Sequence, residues 1–148
     1  MRKEISMLSH LITSFIGTGT FGILFNIPKR TLLKCGFVGM AGWALYISMI
    51  FKGYDAVPAT LAASFLVALI SHIFAKLYKN PVIIFSVAGI IPLVPGGLSY
   101  DAMRNFVEND YSTAIQLAAK ATMISGSIAF GLVLSEVLNQ LIIRRRRV

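Results

Sequence analysis

Polar residues are bunched along this chain, and between the bunches run long uncharged stretches. Several approach the roughly 20 residues that cross a hydrocarbon layer of about 30 Å as a helix. Hydrophobic segments fall at about 5–25, 31–51, 59–77, 82–94 and 113–143. The connections are short. "NIPKR" places Asn26 and Pro28 where the next helix would start, "KGYDAVP" reads as a turn, and "YKNP" repeats the Asn-then-Pro punctuation at Asn80 and Pro81. The apolar run of the first segment is too long for a signal peptide and has no small-x-small cleavage site, so it reads as a span. The pattern predicts an all-α integral membrane protein: a single transmembrane domain over 1–148 with five transmembrane helices, no long linker and no internal repeat.

The fourth segment is irregular. "IIPLVPGGLSY" interrupts it with Pro92, Pro95, Gly96 and Gly97, only about 20 Å along a helix begun at Val82. Pro92 lacks an amide proton and is expected to strand a carbonyl near Ala88, while Pro95-Gly96-Gly97 ends the helix. Beyond the glycines, Ser99 is placed to cap a second half-helix at about 99–110. Its Leu98, Ala102, Met103, Phe106 and Val107 form an apolar stripe opposite Arg104, Asn105, Glu108 and Asn109. The fourth span is thus 82–97 plus this half-helix. A simple hairpin is rejected, because it would put the arginine tail opposite the other basic loops. Non-helical backbone at membrane depth is tolerated only against protein or a water-filled cavity. A helix N-terminus there favours an anion such as a carboxylate, and broken spans of this kind build transporter sites near the midplane. A proline kink or an interfacial turn is the other reading of the same residues.

Composition agrees with a lipid environment: 56% of the 148 residues are hydrophobic and 14% charged, too few polar groups to cover a soluble domain. The net charge of +8 does not point to nucleic acid, because no soluble domain is left to bind it. Instead the charges set topology. With five spans, one side carries Lys29, Arg30, Lys34, Lys76, Lys79 and the arginine run 144–147, nine basic residues and no acid. The other side holds five basic residues with Glu4, Asp55, Asp101, Glu108 and Asp110. The positive-inside rule then places the N-terminus outside and the C-terminus in the cytoplasm.

Small residues recur at helical spacings in "GTGTFG", at Gly36, Gly39 and Gly42, and in "SGSIAFG". Helices in lipid associate through such close faces, here within the chain or against another copy or subunit. Ionisable groups inside the spans are few. Glu136 either pairs with the terminal arginines or acts in proton coupling, and His72 either bonds a neighbouring helix or relays protons. Asp101 and Arg104 line the outer mouth, where they attract a solute or pair with each other. Cys35 is the only cysteine, which excludes an internal disulfide and a cysteine metal cluster, and it is expected to pack as a small apolar residue. No phosphate-binding loop, metal-ligand spacing or nucleophile–base set is present, so no enzyme activity, cofactor or metal is expected.

At "GILFNIPKRTLLKCGFVGMAGW" and "VAGIIPLVPGGLSYDAM" the chain resembles the threonine/serine exporter (ThrE) family. It is most similar to the short members that correspond to the C-terminal membrane half of full-length exporters. The specific matches are Phe25-Asn26-x-Pro28 and Pro92-x-x-Pro95-Gly96, and the likeness covers nearly the whole chain. The resemblance implies a bacterial inner-membrane exporter of small hydroxy amino acids, or of dicarboxylates such as succinate, driven by the proton gradient. It also implies a larger membrane subunit matching the N-terminal half, and marks Asn26, Pro92, Pro95 and Gly96 as substrate-site candidates. Gly97, Ser99, Asp101 and Arg104 join them on their chemistry alone, as do His72 and Glu136 for proton coupling. A non-transporting membrane scaffold is the alternative function.

Overall fold

The structure is a computed structural model that describes residues 2–145, with side chains over 7–142. It contains α1 (Arg2–Leu24), α2 (Lys29–Phe51), α3 (Ala56–Tyr78), α4 (Val82–Ile90), a 3₁₀ turn (Ile91–Leu93), α5 (Gly96–Val107) and α6 (Tyr111–Arg145), with no strand among the described residues. Helices α1, α2, α3 and α6 are each long and apolar enough to cross a membrane. The α4–turn unit and α5 pass the same test as one span bent by 50°. Of the expected basic tail, the backbone is helical through Arg145. Side chains from 143 onward, and residues 146–148, lie outside the described residues.

Four helix ends are closed by left-handed residues. Asn26, Gly53 and Asn109 have φ of 56°, 87° and 64°. In each case the next residue's amide reaches back five positions, as in Ile27 N–H to Gly22 O at 2.9 Å and Asp110 N–H to Asn105 O at 2.9 Å. Lys79 (φ 54°) closes α3 likewise, with Asn80 N–H on Ala75 O at 3.2 Å. This corrects one expectation: Asn26 ends α1 instead of starting α2. Asparagine tolerates that backbone at low cost. At the start of α6, Thr113 N–H donates to Asp110 Oδ1 at 3.2 Å, and these bonds hold the Asp110 carboxyl below its ordinary range.

The core lies where α2, α3 and α4 meet, around Cys35, Val38, Val67, Phe85 and Ala88. Cys35 is fully buried and donates to Ile84 O at 3.6 Å. Close approach depends on particular glycines. A Cβ on Gly89 would meet Val38 and Val67 at 2.7 Å, so α4 can enter the groove between α2 and α3 only without one. Gly22, Gly36, Gly39 and Gly42 are similarly crowded, whereas Gly17, Gly19 and Gly126 touch nothing within 4 Å. Among the glycines of the expected packing faces of α1 and α6, only Gly22 and Gly131 make close contacts, beside buried Thr18 and Ser127.

Helix α6 runs parallel to α3. Lys120 stands 3.9 Å from Asp55 at the start of α3, Ser64 donates to Ser127 O at 3.4 Å, and Glu136 meets His72 near the end of α3. Asn80 to Thr31 (3.5 Å) and Lys34 over the Tyr78 ring put the α1–α2 and α3–α4 turns together at that same end, here called the basic end. Because α4 begins at the basic end and α6 begins at the other, the α4–α5 pair carries the chain from end to end. Counted as one bent span, the pair raises the candidate crossings from four to five by length and composition.

Gly131 faces the α3 backbone: an added Cβ would sit 2.9 Å from Leu61 O and Phe65 N. Backbone cannot swing aside, so Gly131→Ala should cost about 1–3 kcal/mol. Gly126→Ala, in open space on the same helix, should be neutral or stabilise by up to about 1 kcal/mol. Thermal unfolding of the two variants in detergent checks the contrast.

Candidate functional site

The break in the fourth span is shorter and better satisfied than the sequence suggests. The carbonyl expected to be stranded near Ala88 accepts from Ile91 N–H, because the helix tightens into the 3₁₀ turn before Pro92. Val94 N–H then bonds Ile91 O at 3.3 Å, and Gly96 N–H bonds Val94 O at 2.8 Å. Only Val94 and Pro95 leave helical geometry, and α5 begins at Gly96 instead of after Ser99. Ser99 is therefore not its cap; it lies in the first turn and donates from Oγ to Pro95 O at 2.9 Å. Gly96 and Gly97 are exposed, with nothing within 4 Å of where a Cβ would stand. Pro92 lies about 15 Å along the path from Val82, half of a hydrocarbon layer about 30 Å thick.

Helix α5 is less concentrated as a site. Arg104 does not pair with Asp101: its Nε donates to Glu108 Oε1 at 2.9 Å, one turn on, with both side chains more than half exposed. Asp101 is exposed and offers its main-chain carbonyl to Asn105 Nδ2 at 2.7 Å. Asn26 sits in the α1–α2 turn at the basic end, far along the bundle from Pro92. Of the apolar stripe only Ala102 is buried; Met103, Phe106 and Val107 stay exposed beside the start of α6. A cleft of about 500 Å³ between α5 and α6 runs from Ser99 and Ser125 to Phe106 and Ala114.

The two proton-coupling candidates come together. His72 Nε2 lies 3.2 Å from Glu136 Oε2, joining α3 to α6 about 9 Å from the basic end of α3. Gln140 Nε2 donates to the other carboxylate oxygen at 2.9 Å, and Asn139 Nδ2 stands 3.3 Å from His72 Nδ1. With Asn139 donating, Nδ1 is the acceptor and Nε2–H donates to the carboxylate, which is the neutral tautomer. A second proton on Nδ1 requires the Asn139 amide to turn and present its oxygen. Among the described residues the partners of Glu136 are thus His72 and Gln140; the expected pairing with the terminal arginines falls on side chains outside the described residues. His72 is 12% exposed and Glu136 51%, and both border a cleft of about 250 Å³ that Val82 and Ser86 of α4 also line. The pair is set between the α3–α6 contact and a cleft shared with the broken span.

A further feature was not anticipated. Ser14 and Thr18 on α1, Trp43 on α2, and Ile91 and Pro92 of the turn line a groove of about 220 Å³. Ser14 is 8% exposed and Thr18 0%. The polar side-chain atoms of Ser14, Thr18 and Trp43 have no hydrogen-bond partner among the described residues. Elsewhere on α1, Thr13 and Thr20 turn their hydroxyls back onto the carbonyls of Ser9 and Ile16 at 2.9 and 2.8 Å. In sequence Thr18 falls within the small-residue stretch "GTGTFG", and Ser14 carries no signal of its own. Their spacing on one helix face was visible, but not that Pro92 and the indole lie against it.

No solved structure matches the chain. A family model described as "Threonine/Serine exporter, ThrE" matches residues 10–138, which contain the bundle, the broken span, the His72–Glu136 pair and the groove. That family is one of transporters, and an all-helical bundle with several apolar spans fits a multi-pass membrane protein. The chain belongs to the threonine/serine exporter (ThrE) family.

Proposed function

We propose that the chain is one subunit of a secondary exporter in a bacterial inner membrane, its basic end in the cytoplasm, moving threonine, serine or a dicarboxylate such as succinate. The observation that carries this reading is the α4–α5 span, which crosses the bundle but leaves helical geometry at mid-depth beside exposed Gly96 and Gly97. The first amides of α5 point along a helix axis whose N-terminal end is partially positive, which suits a carboxylate. Substrate-site candidates on this path are Pro92, Pro95, Gly96, Gly97 and Ser99, with Asp101 and Arg104 at the outer end. His72 and Glu136 supply the coupling, as the half-exposed carboxylate can take a proton in the cleft and pass it to or from the imidazole. A larger membrane subunit completes the path, and the exposed apolar stripe of α5 is a surface it can cover.

The same stripe would serve a scaffold that transports nothing, and efflux separates the two. Cells co-expressing the chain with its larger subunit should release labelled serine, threonine or succinate faster when the outside is more acidic. Glu136→Gln keeps an acceptor for His72 and should fold normally, while efflux falls to the rate seen without a gradient and no longer responds to external pH. Pro95-Gly96→Ala-Ala should insert at wild-type levels and export several-fold more slowly, since a straightened helix pairs the freed amides. Efflux indifferent to both changes would leave the scaffold.

A further inference from the structure

Four buried polar side-chain atoms lack a partner among the described residues: Ser14 Oγ, Thr18 Oγ1, Trp43 Nε1 and Ser135 Oγ. Three of the four border the single groove between α1, α2 and the Pro92 turn. An unpaired buried hydroxyl or indole N–H destabilises the fold, so three in one place are retained only if something offsets them. Packing within the chain does not: Thr18 is already fully enclosed, with Gly39 lacking the Cβ that would strike its hydroxyl, and it still bonds nothing. Rotation onto their own helix, the solution found by Thr13 and Thr20, is also declined. The groove lies at mid-depth. Ser14 and Thr18 flank the centre of the 7–24 window of α1, Trp43 stands near the middle of α2, and Pro92 is at the break.

The chemistry of the three groups is one-sided. The indole N–H is a donor only, and both hydroxyls donate freely once no acceptor of the chain holds them. Among the described residues no ionisable side chain lines the groove; the His10 ring stands 6.1 Å from the Trp43 ring. Its complement is a ligand with clustered acceptor oxygens, small enough for about 220 Å³, well under the volume of drug-sized sites. We propose that this groove binds the carboxylate of a small solute through the Ser14 and Thr18 hydroxyls and the Trp43 indole N–H, with Pro92 closing its inner wall. All three groups reach the ligand by changes of side-chain rotamer, since in the present structure the two hydroxyl oxygens and the indole nitrogen lie beneath the groove surface. This deepens the exporter reading and rests on it for the class of solute. It moves the recognition step from the hinge glycines to the face of α1 that looks onto the hinge.

Trp43 is the only tryptophan, so its emission reports on the groove directly. The full chain, purified into lipid nanodiscs, is titrated with serine, threonine, succinate and, as a control without a carboxylate, ethanolamine. A saturable change in emission with at least one carboxylate solute and none with ethanolamine is expected. Replacing both hydroxyls (Ser14→Ala with Thr18→Val) should weaken binding at least about tenfold. The same variant should unfold at a higher temperature than wild type, because it removes unsatisfied groups; a structural role would lower that temperature. Emission unmoved by every solute, or equal binding by the double variant, overturns the proposal. Efflux from cells separates the two readings. Wild-type export that survives the double variant sinks the groove and leaves the exporter. A Trp43 response in a chain that exports none of these solutes keeps the groove and sinks the exporter.

Discussion

Main-chain amides and carbonyls inside hydrocarbon have no water to turn to, and this bundle is organised around how they are paired where a helix is interrupted. The fourth crossing meets the demand in steps. The α-helix tightens to a 3₁₀ turn so that Ile91 can serve Ala88, a single tight bond links Gly96 to Val94, and Ser99 covers Pro95 with both its amide and its hydroxyl. Only Val94 and Pro95 are left outside helical geometry, yet that is enough to turn the axis by 50°. Proline at both Pro92 and Pro95 keeps the break from healing, since neither can donate the bond that would continue the helix.

That interruption fixes the neighbours. Gly89, just before it, lets α4 sink between α2 and α3, which brings the turn against α1 and α2 and forms the groove beside Ser14 and Thr18. On the other flank, α4 begins against the α3–α6 contact and contributes Val82 and Ser86 to the cleft of His72 and Glu136. One short helix therefore touches a donor-rich groove at mid-depth and an ionisable pair nearer the basic end.

Much of the fold was legible because its signals are local. Uncharged runs located the helices, turn residues their ends, and Pro92 through Gly97 the break. The errors were local too. Ser99 looked like a cap because serine favours that position, but Pro95 leaves α5 free to start at Gly96, and the serine falls into the first turn. Arg104 had acids at both three and four residues' distance, and rotamer geometry chose Glu108 over Asp101. Asn26 was assigned to the wrong helix end because asparagine suits both an N-cap and a left-handed closing residue.

The chain's own order of residues determined that it is a helical membrane protein, where its long apolar helices lie, which of them is broken, and which few ionisable groups fall within them. Such properties follow from the transfer cost of charge and of unpaired backbone, paid residue by residue along a segment. Which groups meet was decided only by packing. His72 and Glu136 were each singled out, but their pairing depends on α3 and α6 running parallel with Gly131 against the α3 backbone. Ser14, Thr18, Trp43 and Pro92 come from three separate elements, and whether a hydroxyl finds a partner depends on every neighbour that tertiary contact brings. No stretch of sequence contains that information, because an unsatisfied donor is a property of its surroundings.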